Sequence, residues 1–165
     1  MNIKHSFKIG EHLIGNNNKP FIIAEAGSNF NQSMDTAYRL IDVAVDANAD
    51  AVKFQLFSAE SLYPKGTKEY DSVKAVELNP DWIELLNTHA AERNICFMAS
   101  AFDISSVDIL EAVDVCAHKI ASSETTNLPL LSYIATKKRP VIISTGMCDM
   151  VDISEAVLTC HQNDN

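Results

Sequence analysis

Hydrophobic and polar residues follow two different periods along this chain. Short apolar runs with the length of a buried strand recur after residue 20, and stretches with helical spacing of apolar residues separate them. The runs predict five strands: Phe21–Glu25, Ala51–Leu56, Ile95–Ser100, Val115–Ala121 and Val141–Thr145. Because strands that alternate with helices form parallel sheets, the pattern predicts an α/β fold of five βα units.

Two segments lack a clean strand or helix pattern. Residues 1–19 are interpreted as an N-terminal arm or hairpin. The connection 57–78 has no regular period, and long connections of this kind in compact domains are typical of lid-like excursions. Asn79-Pro80 then starts a helix whose apolar stripe is predicted to include Leu85 and Leu86.

The last predicted helix follows the fifth strand. Asp152 and Glu155 have the spacing of a capping box, in which the first residue caps the helix and the second reaches back to it. Val157 and Leu158 are then expected to face inward.

Polar side chains stand at the carboxyl end of each predicted strand, which is the end where parallel α/β sheets open into a site. Glu25 ends the first strand, and Lys53 and Gln55 share one face of the second, opposite its aliphatic residues. The other three strand ends carry Ser100, Lys119 with Ser122, and Ser144 with Thr145. Five consecutive strand ends of this kind are hard to explain by stability alone, so they indicate an enzyme site.

The two lysines suggest the chemistry of a ligand. Lys53 and Lys119 lie in otherwise apolar strands, where an ammonium group is costly unless it is paired or bound to an anion. Two ammonium groups with several hydroxyls suit a ligand that carries a phosphate and a carboxylate, and Glu25 is suited to proton transfer. Two simpler interpretations stay open. Glu25 and Lys53 form a buried ion pair with no ligand, or Lys53 lies on an edge strand and faces water.

Composition limits the class of protein. The chain has 165 residues, 47% of them hydrophobic, which is enough for one domain with a sizeable core. Thirteen Lys and Arg against 22 Asp and Glu give a net charge of −9, which argues against nucleic-acid and anionic-membrane partners. The four cysteines lack a C-x-x-C spacing and are expected to be reduced thiols of a cytoplasmic protein. No apolar stretch approaches the ~18 residues of a membrane span, and the first residues lack a signal core.

Four segments resemble the sialic acid synthase family, which includes N-acetylneuraminate, legionaminate and pseudaminate synthases. They are IAEAGSNFNQSMDTAYRLID, ADAVKFQ, KIASSETTNLPLL and VIISTGM, and they occur in the family's order. The similarity runs from about Ile9 to the end of the chain. Enzymes of this family condense phosphoenolpyruvate with an open-chain N-acetylated amino sugar such as N-acetylmannosamine. They release phosphate and form a nonulosonic acid.

The resemblance implies a fold and a role for each polar strand end. The fold is a (β/α)8 barrel of the TIM type, followed by a small antifreeze-like domain. Glu25 would be the general acid/base, and Lys53 and Gln55 would contact phosphoenolpyruvate. The clamp on its phosphate and carboxylate would be completed by Lys119, Ser122 and Ser144, with Ser100 at the position of a family hydroxyl.

The chain is shorter than the family pattern. A full (β/α)8 barrel needs roughly 250 residues. The chain is therefore expected to form about the first five βα units, over residues 20–165, without the antifreeze-like domain. By resemblance, the full-length protein would be a homodimer that uses a divalent metal, Mn²⁺ or Mg²⁺, held by two histidines on later strands. Those ligands are expected to be absent here, and the chain alone is expected to show residual anion binding at most, with no metal-dependent turnover.

Three alternatives stay open. A five-stranded doubly wound module of the flavodoxin or receiver type fits the length and would have the strand order 2-1-3-4-5 with helices on both faces. A Schiff-base aldolase would use Lys53 or Lys119 on the same barrel. The third alternative is a non-catalytic fragment. The synthase interpretation predicts the sequential order 1-2-3-4-5, in a sheet curved like part of a barrel.

Overall fold

A parallel five-stranded sheet forms the centre of the molecule in the computed structural model, which describes residues 5–162. The strands are β1 Ser6–Ile9, β2 His12–Gly15, β3 Ile23–Gly27, β4 Ala51–Leu56, β5 Cys96–Ala101, β6 His118–Ile120 and β7 Val141–Ile143. The α-helices are α1 Met34–Asp46, α2 Ala59–Leu62, α3 Lys68–Lys74, α4 Ile83–Glu92, α5 Ile104–Ala112, α6 Leu128–Ala135 and α7 Met150–Gln162. Single 3₁₀ turns cover Pro80–Trp82 and Ser122–Glu124. Within residues 5–162, no helix is long and apolar enough to cross a membrane.

The strand order of the large sheet is β3-β4-β5-β6-β7, and each neighbouring pair is parallel. This confirms the sequential order predicted for the first five units of a TIM-type barrel. It excludes the order 2-1-3-4-5, and with it the doubly wound alternative. Since all five strands run the same way, their carboxyl ends and the residues that follow meet at one edge.

The main core lies between the sheet and the helices. On β4, Val52, Phe54 and Leu56 point to this side, and each is at most 2% exposed. Ile41 of α1 and Leu86 of α4 pack into the same cluster and are fully buried. The predicted division of β4 into an aliphatic face and a Lys/Gln face is therefore confirmed.

The other face of the sheet has its own small apolar cluster. The antiparallel hairpin of β1 and β2 packs against it through Ile9, which contacts the cluster of Ala51, Met98 and Ala117. All four side chains are at most 2% exposed. The hairpin therefore covers the apolar part of this face, and the polar residues lie further along the strands.

Several predicted bounds need correction. The first strand of the sheet is Ile23–Gly27, not Phe21–Glu25, because the N–H of Ile22 donates to the Asp50 side chain at 2.7 Å instead of to a strand. The fourth and fifth strands of the sheet are shorter than predicted, with three residues each.

The connection 57–78 is more regular than predicted, because it contains α2 and α3. Helices of four and seven residues are too short to show a clear period in the sequence. The end of this connection is tied to the loop before α1. There the Gln32 Nε2 donates to the carbonyls of Ala75 and Glu77 at 3.1 and 2.8 Å.

The predicted capping box of the last helix was wrong. The helix begins at Met150, and the Asp149 carboxylate accepts from the N–H groups of Val151 and Asp152 at 2.7 and 3.0 Å. Asp149 is thus the capping residue, because the helix starts three residues earlier than the capping-box spacing implies.

The buried positions of α7 also differ from the prediction. Val157 and Leu158 are 37% and 50% exposed, whereas Ala156 and Cys160 are buried. Ala156 and Cys160 are four residues apart and therefore lie on one face of the helix, and that face packs on α6 and the core.

Leu85 and Leu86 allow a matched test of the core. Leu86 is fully buried, whereas Leu85, which was predicted to pack on the sheet, is 50% exposed. We expect Leu86→Ala to lower the free energy of unfolding by about 2–5 kcal/mol, because it leaves a cavity. Leu85→Ala is expected to change it by less than about 1 kcal/mol. Urea unfolding of both variants measures this, and equal losses would contradict the assigned core.

Candidate active site

An ion pair joins β3 to β4 near the carboxyl ends of the strands. Glu25 and Lys53 are register partners, and the Glu25 carboxylate contacts the Lys53 ammonium. The Lys53 side chain is 8% exposed, whereas that of Glu25 is 53% exposed. Lys53 therefore does not face water, and the edge-strand interpretation was wrong because β4 has a neighbour on each side.

Irregular backbone follows Glu25. The strand register shifts between Glu25 and Gly27, and Gly27 has φ of +58°. A Cβ at Gly27 would stand 3.5 Å from the Glu25 carboxylate, in a conformation that residues with side chains rarely adopt. Bulges of this kind re-aim side chains, so the glycine helps to set the position of the Glu25 carboxylate.

Ser100 connects the two lysine-bearing strands. The Lys53 ammonium donates to the Ser100 hydroxyl oxygen at 3.5 Å, and Ser100 is 3% exposed. In the sheet, Ser100 is the register partner of Gln55 on one side and of Lys119 on the other. The predicted residues of β3, β4, β5 and β6 are thus brought together on one face.

Lys119 is the least satisfied cation of this group. Its ammonium donates to the carbonyl of Ile120 at 2.6 Å, and no carboxylate within residues 5–162 lies within ion-pair distance of it. Partial burial, together with the nearby Lys53 charge, lowers the pKa of Lys119, and Glu25 only partly opposes this. An ammonium group has three protons to donate, so Lys119 can accept further partners.

Gln55 is held by a residue that sequence reasoning did not single out. The Ser28 hydroxyl donates to Gln55 Oε1 at 3.3 Å, across 27 residues of sequence. Since this bond occupies the amide oxygen, the amide NH₂ of Gln55 remains available as a donor. Ser28 lies in the small polar loop after β3, but its partner was not visible in the sequence pattern.

Ser144 and Ser122 follow the last two strands of the sheet. The Ser144 N–H donates to the Ile120 carbonyl at 3.1 Å, which continues the pairing of β6 and β7 by one step. The Ser144 carbonyl accepts from the Thr125 hydroxyl at 2.7 Å. Ser122 opens the 3₁₀ turn after β6, and its carbonyl accepts from the Cys148 thiol at 3.7 Å.

Thr125 is fully buried and was also missed in the sequence, because a threonine in the polar run after β6 gives no signal of its burial.

His118 is the residue before Lys119 on β6 and is a packed, buried histidine. Its side chain is fully buried, and its Nε2 lies 2.8 Å from the Glu111 carboxylate, which also accepts from Arg139 at 2.7 Å. The other ring nitrogen, Nδ1, has no hydrogen-bond partner among residues 5–162. This matches a neutral ring that donates through Nε2, because a proton on Nδ1 would be buried without an acceptor.

The structure also has a cleft that contains none of the predicted site residues. It is a cleft of about 420 Å³ beyond the ends of β4 and β5. Its polar lining includes Ser58 and Asp103, which cap α2 and α5 and therefore already have a structural role.

The residues that the structure describes do not form a metal site. In the part of the chain that the structure describes, no group of three or more His, Cys, Asp or Glu side chains converges as metal ligands would. The inner face of the sheet offers one carboxylate with lysines, amides and hydroxyls, a set that does not suit a divalent metal.

Comparison with protein families shows the family to which the chain belongs. The model of the NeuB family matches residues 40–165. The chain belongs to the NeuB family. The sequential strand order and the family match therefore agree.

Individual relatives of this NeuB chain are synthases and a spore coat protein. The chain is 40% identical to N,N'-diacetyllegionaminic acid synthase of Legionella pneumophila, over 84% of this chain and 43% of that protein. It is 37% identical to the spore coat polysaccharide biosynthesis protein SpsE of Bacillus subtilis, over 97% of this chain and 46% of that protein. The chain thus spans a little under half the length of these relatives.

A solved structure supports the same fold. The N-acetylneuraminic acid synthetase of Leptospira borgpetersenii, determined in complex with citrate, superposes with a TM-score of 0.92 at 34% identity. The match covers 97% of this chain and 56% of that one. The five βα units described above therefore correspond to part of a larger synthase.

The buried His118 predicts a pH dependence of stability. Burial lowers the pKa of His118 in the folded chain, ahead of the opposing effect of Glu111. The unfolded chain therefore binds this proton more readily, so stability is complete above the ordinary histidine pKa of about 6.5 and is lost as pH falls below it.

We expect the free energy of unfolding to fall more steeply between about pH 7.5 and pH 5.5 in the wild type than in His118→Gln, because only the wild type has this buried ring to protonate. Replacement of the exposed His5 by Gln is the matched control and should keep the wild-type slope. Identical slopes in the wild type and His118→Gln would contradict this account.

Proposed function

We propose that this chain is the phosphoenolpyruvate-binding part of a nonulosonic acid synthase. The observation that carries the proposal is the state of Lys119, a partly buried ammonium with one neutral acceptor, next to the buried Lys53. One carboxylate, Glu25, contacts Lys53, and none within residues 5–162 pairs with Lys119, so the two cations can accept added negative charge.

The ligand class follows from the number and spacing of the charges. A phosphate and a carboxylate on one small molecule supply two anionic groups, which match two ammonium groups on neighbouring strands. Phosphoenolpyruvate has this composition. The citrate complex of the similar Leptospira synthetase is in keeping with a site for multiply charged anions.

Each strand-end residue has a proposed role. Lys53 and Lys119 bind the phosphate and carboxylate oxygens, with Ser100 between them. Gln55 donates through its amide NH₂, which the bond from Ser28 leaves free. Ser122 and Ser144 complete the clamp through hydroxyls that make no hydrogen bond to residues 5–162.

Glu25 is the proposed general acid/base. A bond from phosphoenolpyruvate to the aldehyde carbon of a sugar turns the aldehyde oxygen into a hydroxyl, and this requires a proton. The Glu25 carboxylate is 53% exposed and contacts Lys53, so it lies both beside the bound anion and within reach of a second substrate. The names of the similar synthases, which print N,N'-diacetyllegionaminic and N-acetylneuraminic acid, support the proposal that this second substrate is an N-acetylated amino sugar.

The resemblance also implies a divalent metal and a homodimer for the full-length protein. The described residues do not suit such a metal. What this chain supplies in the proposal is anion binding and proton transfer.

A Schiff-base aldolase is the second candidate, and the lowered pKa of Lys119 favours it, because a larger fraction of this amine is neutral. Treatment with pyruvate and borohydride distinguishes the two reactions, since reduction traps an imine. We expect no adduct at Lys119. A stable adduct that is lost in Lys119→Arg would favour the aldolase.

Replacement of either lysine should weaken binding of phosphoenolpyruvate. We expect Lys53→Met and Lys119→Met each to lose about 1.5–3 kcal/mol of binding free energy, the scale of a hydrogen bond to a charged group. Isothermal titration calorimetry on the chain measures this. Lys8→Met is the matched control, because Lys8 is exposed on the β1–β2 hairpin, and it should bind like the wild type. Unchanged affinity in both site variants would refute the clamp.

Glu25→Gln should strengthen the binding of anions at the site. The substitution keeps the shape of the side chain but removes a negative charge beside the ligand. Binding of inorganic phosphate should therefore tighten about two- to fivefold, the effect of a partly exposed charge. Glu11→Gln on the exposed hairpin turn is the control for net charge. Weaker phosphate binding in Glu25→Gln alone would mean that Glu25 is part of the clamp.

A further inference from the structure

Two cysteines lie side by side at the amino-terminal end of the sheet, away from the proposed site. Cys96 is the first residue of β5, and Cys116 precedes β6 by two residues. Ser100 and Lys119 are register partners on these strands, and Cys96 and Cys116 lie four and three residues before them along the chain. The two thiols are close enough for a hydrogen bond between them. Neighbouring strands are about 4.8 Å apart, which is within the range of Cα separations that a disulfide spans.

The contacts of the two sulfur atoms agree with this register. The Cys116 thiol lies 3.9 Å from the carbonyl of Phe97, the residue next to Cys96, so its sulfur reaches across to β5. A Cβ at Gly10 would be 3.2 Å from the Cys96 sulfur and 3.8 Å from the Cys116 Cβ. The turn of the β1–β2 hairpin thus passes over both cysteines, and both belong to the small apolar cluster beneath it.

We propose that Cys96 and Cys116 are a redox-active thiol pair that a low-molecular-weight disulfide converts to an intramolecular disulfide. Both thiols are partly exposed and lie beside each other, whereas the other two cysteines stand apart from them. Cys148 donates to the Ser122 carbonyl near the site, and Cys160 is buried in α7. The assignment is independent of the proposed ligand, because the pair lies at the opposite end of the strands.

The environment of the pair assigns different roles to its members. Hydrogen bonding from the Cys116 thiol lowers the pKa of Cys96, while burial and the Asp50 carboxylate oppose this. Pairing with Cys96 and burial raise the pKa of Cys116. Since the thiolate is the reactive form, Cys96 is the attacking sulfur and Cys116 the resolving one.

The exchange proceeds in two balanced steps. The Cys96 thiolate attacks one sulfur of glutathione disulfide, the S–S bond of glutathione disulfide breaks, and one glutathione leaves and takes up a proton. Cys116 then loses its proton and attacks the Cys96 sulfur of the mixed disulfide, which releases the second glutathione. Two protein thiols are oxidised, and one glutathione disulfide is reduced to two thiols.

The test is a count of free thiols in the folded chain after equilibration with glutathione disulfide. The chain has four cysteines, and we expect two free thiols to remain, with the mass of the chain reduced by two hydrogens. Peptide mapping should join the peptides of Cys96 and Cys116. Cys116→Ser should stop at the first step and carry one glutathione on Cys96, whereas Cys96→Ser should form no internal disulfide.

The double variant Cys148→Ser, Cys160→Ser is the matched control and should lose both of its thiols, because the proposed pair is intact. Four free thiols in the wild type after treatment would overturn the proposal. A disulfide that maps to Cys148 or Cys160 would overturn it as well. These readouts do not involve phosphoenolpyruvate, so their failure would leave the proposed function untouched.

Discussion

Two ammonium groups on one face of a single parallel sheet are the constraint around which this structure is built. Lys53 and Lys119 stand on strands separated only by β5, and the Glu25 carboxylate contacts Lys53 but not Lys119. Partial burial and like charge lower the pKa of Lys119, so the free energy of keeping both groups charged is raised in the absence of an anion. A ligand with two anionic groups would relieve this cost, which ties the electrostatics of the fold to its proposed activity.

The rest of the fold isolates these charges from the apolar packing. One face of the sheet is covered by helices, and the residues of β4 that point there are almost fully buried. The other face is divided along its length. The hairpin covers the apolar part through Ile9, and the polar residues lie beyond it. The segments of β5 and β6 contribute to both halves of this face. Their pairing places Ser100 beside Lys119 in the polar half, and Cys96 and Cys116 lie earlier along the same two segments, in the apolar half.

Features that repeat along the chain were predictable from the sequence, and features that depend on register were not. The bounds of β4 were predicted correctly, because alternation in Ala51–Leu56 marks both faces of the strand. The sequential strand order followed from polar residues at consecutive strand ends. The bond from Ser28 to Gln55 joins residues 27 apart, and the burial of Thr125 depends on its bond to a carbonyl 19 residues away. Such contacts leave no local pattern. Short helices such as α2 were missed because four residues make only about one helical turn, which is too short to show a repeating pattern.

The most direct measurement of the central claim is a crystal structure of the chain with bound phosphoenolpyruvate. The account predicts that oxygens of the ligand lie about 2.7–3.2 Å from both lysine ammonium groups. It also predicts that Lys119 turns from the Ile120 carbonyl toward the ligand. A bound ligand elsewhere, with the Lys53–Glu25 pair and the Lys119 contact unchanged, would contradict the account.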